Sequence, residues 1–437
     1  MGWQMRLLRR ALVLGFVILS IAGCGRPEPD IDAASVERVI TTLSADDMLG
    51  RAPFTPGIDK AADFIADEFA SIGLQKIGEM DGYLQRFVAY RLQVQSRRVV
   101  LNGIETAPER SIAWAGAPSV RWRTGDPVEV VVIGPEDDAG QKIYSIRMKD
   151  CSALILMNTS HESFFRRLTN RGSAPLFFLD PPSGATLVFV LTNEARTTSF
   201  EVEVMAPLVE LPLTNVLGMI PGRRDNELVL FGSHYDAFGI LEPVDGDSIA
   251  NGANDCASGT TAVIELARYF RARGKPERTL IFAAFTAEEI GFLGSEYLAR
   301  QLDPEKIVAM FSIANIGRVY ADGPNKAIVT GFERSDFGTI LQRAVEGTPY
   351  SFHPDPYVRR TLFRRSDNVS FARLGVPAHG IGTAGAAEDR HTVSDEVETL
   401  DLMNMTQVIR AVALGAAPIV SGKATPTRID PPLEKSP

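Results

Sequence analysis

The run Ser233-His234-Tyr235-Asp236 follows an apolar stretch, LVLFG at 228–232, and replaces it with residues that bind metals. Gly252-Ala253-Asn254-Asp255 comes next, in a Gly/Asn/Ser-rich loop that opens a helix. Glu288-Glu289 stands after the apolar run TLIFAAF, and His391 lies in the loop RHTVSDE. His, Asp and Glu are the ligands of a catalytic zinc, which takes roughly three of them and keeps one position open. Placed at the carboxyl ends of strands, these residues have the composition of a zinc hydrolase site. Read singly, each has a plainer meaning. Asp255 is an N-cap for the helix that follows, Glu288-Glu289 is a solvated helix start, and His234 is a hydrogen-bonded core histidine. Their order along the chain favours the joint reading.

The elements that must position them follow from periodicity. Residues 34–44 and 58–73 carry apolar side chains at helical spacing, with Ala61, Ile65, Phe69 and Ile72 on one stripe and Gly73 as a stop. From about 84 to 205 the chain changes character. Short β-rich runs (FVAYRLQVQ, RRVVL, VEVVVIG, SALILM, APLFFL, TLVFVL) alternate with Gly, Pro and Asn turns, which predicts a β-rich insertion. From about 207, strands at 215–220, 228–233, 279–285, 307–316 and 327–331 alternate with helices at 257–274, 291–301 and 335–345. VPAHGIGT gives a last strand and 400–415 a closing helix. Such alternation predicts an α/β fold, a three-layer α/β/α sandwich around a mixed, largely parallel sheet. The resulting division is a leader at 1–23, a tether at 24–33, a first part of the catalytic domain at 34–83, the insertion at 84–205, the main part at 206–418 and a tail at 419–437.

At 437 residues, with 45% hydrophobic and 23% charged side chains, the chain has ordinary globular composition. Its net charge of −9 argues against nucleic acid as a partner. The amino terminus carries Arg6, Arg9 and Arg10, then an apolar run from Ala11 to Ile21 too short to span a bilayer comfortably. Ile21-Ala22-Gly23-Cys24 resembles a bacterial lipobox, in which the cysteine is lipidated after cleavage. The expectation is an extracytoplasmic protein held on a bacterial membrane through Cys24. Cys151 and Cys256 then remain, and two unpaired buried thiols are expected because Cys256 adjoins a proposed ligand.

GSHYD, GANDCASG, TAEEIGFLGSEYL and HTVSDEVETLD, in this order, resemble the zinc aminopeptidase family, which also holds glutamate carboxypeptidase II, the glutaminyl cyclases and the transferrin receptor. The match covers 206–415 well and 34–75 in part, and leaves the insertion uncovered. The resemblance implies a zinc exopeptidase fold, peptide substrates and one or two zinc ions. Two zincs about 4 Å apart need a bridging carboxylate, and the resemblance makes Asp255 that bridge. Glu289 and His391 complete one site, and His234 belongs to the other. Asp236 is placed to accept the His234 ring N–H and fix its tautomer. Glu288 is the general base that takes a proton from water and returns it to the leaving amine.

One position departs from the family. Its last ligand is an Asp or Glu in a strand-end run, and here Ala314 stands there, in Phe311-Ser312-Ile313-Ala314-Asn315-Ile316-Gly317-Arg318. The site around His234 then keeps only His234 and Asp255, whereas the other keeps Asp255, Glu289 and His391. Asn315 could supply an amide oxygen only through a local twist, because strand neighbours face opposite sides. Asp322 is a second candidate for the missing ligand. Ser366-Asp367-Asn368 resembles a Ser-Asp-His run of the family, with Asn at the third position. His161 and His353 are expected at the surface, and His379 in the core or beside the site. The leading expectation is a zinc-dependent exopeptidase, most simply an aminopeptidase. The alternatives are a mono-zinc enzyme of the glutaminyl-cyclase kind and a receptor-like binding lipoprotein.

Overall fold

The computed structural model describes residues 30–173, 177–383 and 389–431. The expected leader at 1–23, the lipidation site Cys24 and tail residues 432–437 lie outside the described residues.

Eight strands make one sheet: β1 (Leu84–Leu92), β2 (Leu208–Ile220), β3 (Arg224–His234), β4 (Arg278–Phe285), β5 (Ile307–Ile313), β6 (Lys326–Val329), β7 (Ser351–Pro354) and β8 (Ala378–Gly382). Their spatial order is β1-β2-β4-β3-β5-β8-β6-β7. The central strands β4, β3, β5 and β8 run parallel; β2 pairs antiparallel with β4 and β1 antiparallel with β2, while β6 pairs antiparallel with β8 and parallel with β7. Parallel strands covered on both faces read as continuous apolar runs, and every residue of β4 is buried. Helices α1 (Ala33–Leu43), α2 (Pro56–Ile72), α3 (Ser258–Ala272), α5 (Phe337–Ala344) and α6 (Leu402–Val420) cover one face, packing on Val229, Phe231, Phe282 and Phe311. Helix α4 (Leu293–Gln301) and the short helix Asn368–Ala372 cover the other, packing on Leu230, Ile281, Phe285 and Met310. This alternation of faces is the period of two expected of strands. The three-layer sandwich read from the sequence is the fold observed. Helix α2 begins with Pro56 and ends at Gly73 in the left-handed conformation (φ 77°), the usual asymmetry of helix starts and stops.

The chain leaves this sheet after Leu92 and returns at Leu208. Between them, Ile104–Glu105, Ser96–Leu101, Phe200–Met205 and Ser119–Arg123 make a four-stranded antiparallel sheet. Ser111–Trp114, Leu187–Leu191, Ala153–Met157 and Glu129–Ile133 make a second, mixed one, flanked by helices Ala139–Met148 and Glu162–Ser173. The sequence placed the start of the excursion at 84. Strand β1 instead pairs along its whole length with β2, from Leu84 opposite Val216 to Leu92 opposite Leu208. Its alternating pattern fits either sheet, so only the pairing decides. In the expected strand at 174–179, the described residues show a single bridge, Phe178 to Tyr90.

Candidate metal centre

The parallel strands β3, β4, β5 and β8 end on one edge of the sheet, and the loops that leave them carry the site. His234 is the last residue of β3 and is 2% exposed. Its carbonyl accepts from Thr260 Oγ1 at 2.7 Å, which ties it to α3. After β4 the chain turns at Ala287 (φ 59°) before α4 begins at Leu293. Glu288 and Glu289 therefore sit in a strand-to-helix break, where adjacent side chains need not splay as they would on a helix. Asn315 (φ 56°), after β5, and His391 (φ 66°) are also left-handed. Such conformations cost about 1–3 kcal/mol each at non-glycine residues and cluster at functional sites.

These turns bring together the residues singled out by the sequence. His234 Nε2 lies 3.3 Å from Asp255 Oδ1 and 4.0 Å from Glu288 Oε2. His391 Nε2 lies 3.3 Å from both Asp255 Oδ2 and Glu289 Oε1, and its ring packs on Phe238 with centroids 4.0 Å apart. Asp236 works differently from the sequence expectation. Its carboxylate accepts from the backbone N–H of Glu288 at 3.1 Å and of Glu289 at 3.2 Å. His234 Nδ1 faces the Asp236 main-chain carbonyl at 3.2 Å, with the carboxylate at 3.7 Å. The buried amides of the turn need an acceptor, and Asp236 supplies it. It is a positioning residue for the glutamate pair.

Three residues that the sequence reading passed over hold the loops. Asp395 accepts from the backbone N–H of Asn254 and of Asp255, each at 2.9 Å. Arg51, at the end of the short helical turn Asp46–Arg51, is fully buried and donates to the carbonyls of Tyr235 at 2.8 Å, Asn251 at 2.8 Å and Gly252 at 3.0 Å, and to that of Leu43. Burial lowers its guanidinium to about 10, against the pull of Asp395 and Asp236, so it remains charged at neutral pH. One buried cation thus stitches the loop after His234 to the loop before Asp255. The third is Arg390, whose Nε donates to Asp255 Oδ2. An arginine beside a ligand histidine, and an aspartate four residues beyond it, were the signals available in RHTVSDE.

Burial raises the Glu288 carboxyl well above the ordinary range, although His234 opposes this. Burial likewise raises Glu289, although His391 opposes this. Asp255 is also buried, but His234, His391 and Arg390 hold it well below the usual carboxylate range. Burial alone would lower His391, but Asp255 and Glu289 outweigh it and raise the imidazole to about 9.

Glu289 Oε1 and His391 Nε2 are buried without a hydrogen bond. Together with an oxygen of Asp255 they form a set whose ligand atoms all lie within 4.8 Å of one another. Buried polar atoms rarely stay unpaired, and a cation between these three satisfies them at once. One nitrogen and two oxygens suit zinc, which takes roughly three such ligands. The residues fit the ion. Because the His391 imidazole must give up its proton to a metal, zinc binding is expected to release protons. Affinity should climb about tenfold per pH unit and level off above the imidazole's value of about 9. Calorimetry in buffers of different ionisation heat checks this. At pH 7 about one proton or more should be released per zinc, and no release would contradict the assignment.

Residues 215–415 match the sequence profile of peptidase family M28. The chain is similar to leucine aminopeptidase 1 of Paracoccidioides brasiliensis (strain Pb18), 26% identical over 57% of this chain and 68% of that one. A probable zinc metalloprotease of Pyrenophora teres f. teres is 39% identical, over 23% of this chain and 21% of its own. Among solved structures, the fold is similar to an aminopeptidase from Aneurinibacillus sp. strain AM-1, with a TM-score of 0.54 and 20% identity, covering 93% of this chain and 97% of that one.

The position of the missing ligand is plain. Ala314 and Asn315 follow β5, and the left-handed turn swings Asn315 toward Asp255, its Nδ2 lying 3.1 Å from Oδ1. Asp322, the other candidate for the missing ligand, is exposed. His379 belongs to the core, with Nε2 at 2.7 Å from Ser335 Oγ and Nδ1 at 2.9 Å from the Thr330 carbonyl. His161 and His353 are half-buried and bonded to Gly134 and Ser351. Asn368 turns inward, donating to the Phe363 carbonyl at 2.9 Å. Cys151 and Cys256 are both free, the first half-buried and the second buried.

Proposed function

We propose that this protein is a zinc-dependent aminopeptidase-type exopeptidase that hydrolyses the N-terminal residue of peptides. The observation that carries the reading is the set Asp255, Glu289 and His391 with the buried Glu288 carboxylate beside it. Asp255, Glu289 and His391 would hold one zinc, which when bound polarises a carbonyl and acidifies water. Glu288 is adjacent in sequence to one ligand, and its carboxylate lies 4.0 Å from His234, so it faces the same pocket. Burial raises its proton affinity above that of an ordinary carboxylate, in the direction that suits a base that takes a proton from the attacking water and delivers it to the leaving amine. Asp236 fixes the turn that aims Glu288, and Asp395 fixes the loop that aims Asp255. A panel of peptides with free and acetylated N-termini tests the reading. Stepwise release of N-terminal residues from the free peptides alone supports it. Cleavage that ignores the N-terminus, or cyclisation of N-terminal glutamine without hydrolysis, contradicts it.

The basic residues at 6–10, the apolar run 11–21 and the sequence Ile21-Ala22-Gly23-Cys24 support a lipid anchor on Cys24 and an extracytoplasmic position. Labelled fatty acid should enter the protein when it is made in a bacterium that processes lipoproteins, and Cys24→Ala should abolish the label. Equal labelling of the variant would refute the anchor.

A further inference from the structure

Asp255 is met from four directions. Oδ1 faces His234 Nε2 at 3.3 Å and Asn315 Nδ2 at 3.1 Å. Oδ2 faces His391 Nε2 at 3.3 Å and is bonded by Arg390 Nε. Of these contacts, those of Asn315 and Arg390 are hydrogen bonds, and the two imidazole nitrogens stand at 3.3 Å. A metal ion between Asp255, Glu289 and His391 displaces no hydrogen bond of Glu289 Oε1 or His391 Nε2, because neither makes one.

The other side of Asp255 offers a second cation much less. It presents His234 and Oδ1, with Ala314 at the strand end, and the Asn315 amide already fills the approach. Asn315 is itself held through its Oδ1, which accepts from Asn254 Nδ2 at 3.3 Å. Cys256 lies near enough to form a metal-sized group with His234 and Asp255. Its sulfur, however, is engaged by Ser233 Oγ at 3.3 Å and by the Ile313 carbonyl at 3.8 Å.

Charge completes the comparison. A dication held by one further carboxylate carries a net charge of about +1, and a guanidinium opposite an alanine carries the same. Arg390 lines the pocket that contains His234, Asp255, Glu288, Ala314 and Asn315, and its side chain is 21% exposed. We infer that Arg390 is a built-in replacement for a second metal ion. Its guanidinium, which reaches Asp255 through Oδ2 and lines the same pocket as His234 and Ala314, supplies the positive charge that Asp255 would otherwise draw from a second zinc, and the domain takes one. This rests on the reading that Asp255, Glu289 and His391 hold zinc.

The test is metal content of the full chain, equilibrated with excess zinc and freed of unbound ion, in four forms. The unaltered protein should hold one zinc, and so should Ala314→Asp, because the guanidinium still lines the pocket that the added carboxylate would enter. The double variant Ala314→Asp/Arg390→Gln should hold two. Arg390→Gln alone should hold one and bind it at least about tenfold more tightly, because a fixed positive charge beside the shared carboxylate is gone. This last measurement serves if the double variant does not fold. Two zincs in the unaltered protein, two in Ala314→Asp, one in a folded double variant, or an unchanged affinity in Arg390→Gln would each overturn the inference. No zinc in the unaltered protein would remove the metal reading itself and the inference with it.

Discussion

Glu288→Gln leaves the fold and the zinc in place and lowers kcat by about 10³-fold, within the usual range for a removed general base. Glutamine keeps the shape of the side chain and cannot accept the proton. The backbone bond from Glu288 N–H to Asp236 does not involve the side chain, so the turn stays intact. Glu288 is 5% exposed, which prevents bulk water from substituting easily as the base. Its pH behaviour has a definite sign. Burial raises the carboxyl, and only the ionised form acts as a base, so kcat falls as pH drops through that raised value. In Glu288→Gln the residual rate should lose this acid limb. Steady-state kinetics on an aminoacyl p-nitroanilide, with zinc content measured on the same samples, checks both statements. A variant that keeps more than about a tenth of kcat excludes Glu288 from this role.

His391→Ala has the second large effect and acts through the metal. The change leaves two of three protein ligands, and affinity for zinc should fall by at least about 10³-fold. Zinc-dependent thermal stabilisation should vanish with it, because an ion that binds only the folded state stabilises in proportion to its occupancy. His234→Ala is the matched control. It removes a buried imidazole from the same carboxylate but leaves Asp255, Glu289 and His391, so the zinc should remain. Titration of each variant with zinc in the presence of a competing chelator measures the difference. Equal zinc affinity in His391→Ala and the unaltered protein would move the metal elsewhere.

The sandwich and the cluster were legible because both rest on local pattern. LVLFG and TLIFAAF are buried on both faces and announce central strands, and a ligand-type residue directly after each announces an edge with chemistry. What was not legible depends on tertiary contacts. Leu84–Leu92 alternates like the strands of the excursion, and nothing within it says which sheet it joins. Asn315 was expected to need a twist to reach the site. The left-handed turn supplies it, yet such a turn at an asparagine leaves no distinctive pattern in sequence. Asp236 was assigned to a ring nitrogen two residues away, and its carboxylate is instead used by amides 52 and 53 residues further on. The run GRAPFTPG around Arg51 carries no pattern that marks the arginine as buried. Its burial follows only from the four carbonyls that surround it. Arg390 carries no sign of its part in the sequence, because its bond to Asp255 joins residues 135 apart.

The most direct measurement is release of the N-terminal residue from an unblocked peptide by the full chain, before chelation, after it, and after return of zinc. The account predicts that release stops on chelation and recovers fully with one equivalent of zinc. Turnover that persists in the chelated protein, or none in a protein shown to hold its zinc, would contradict it.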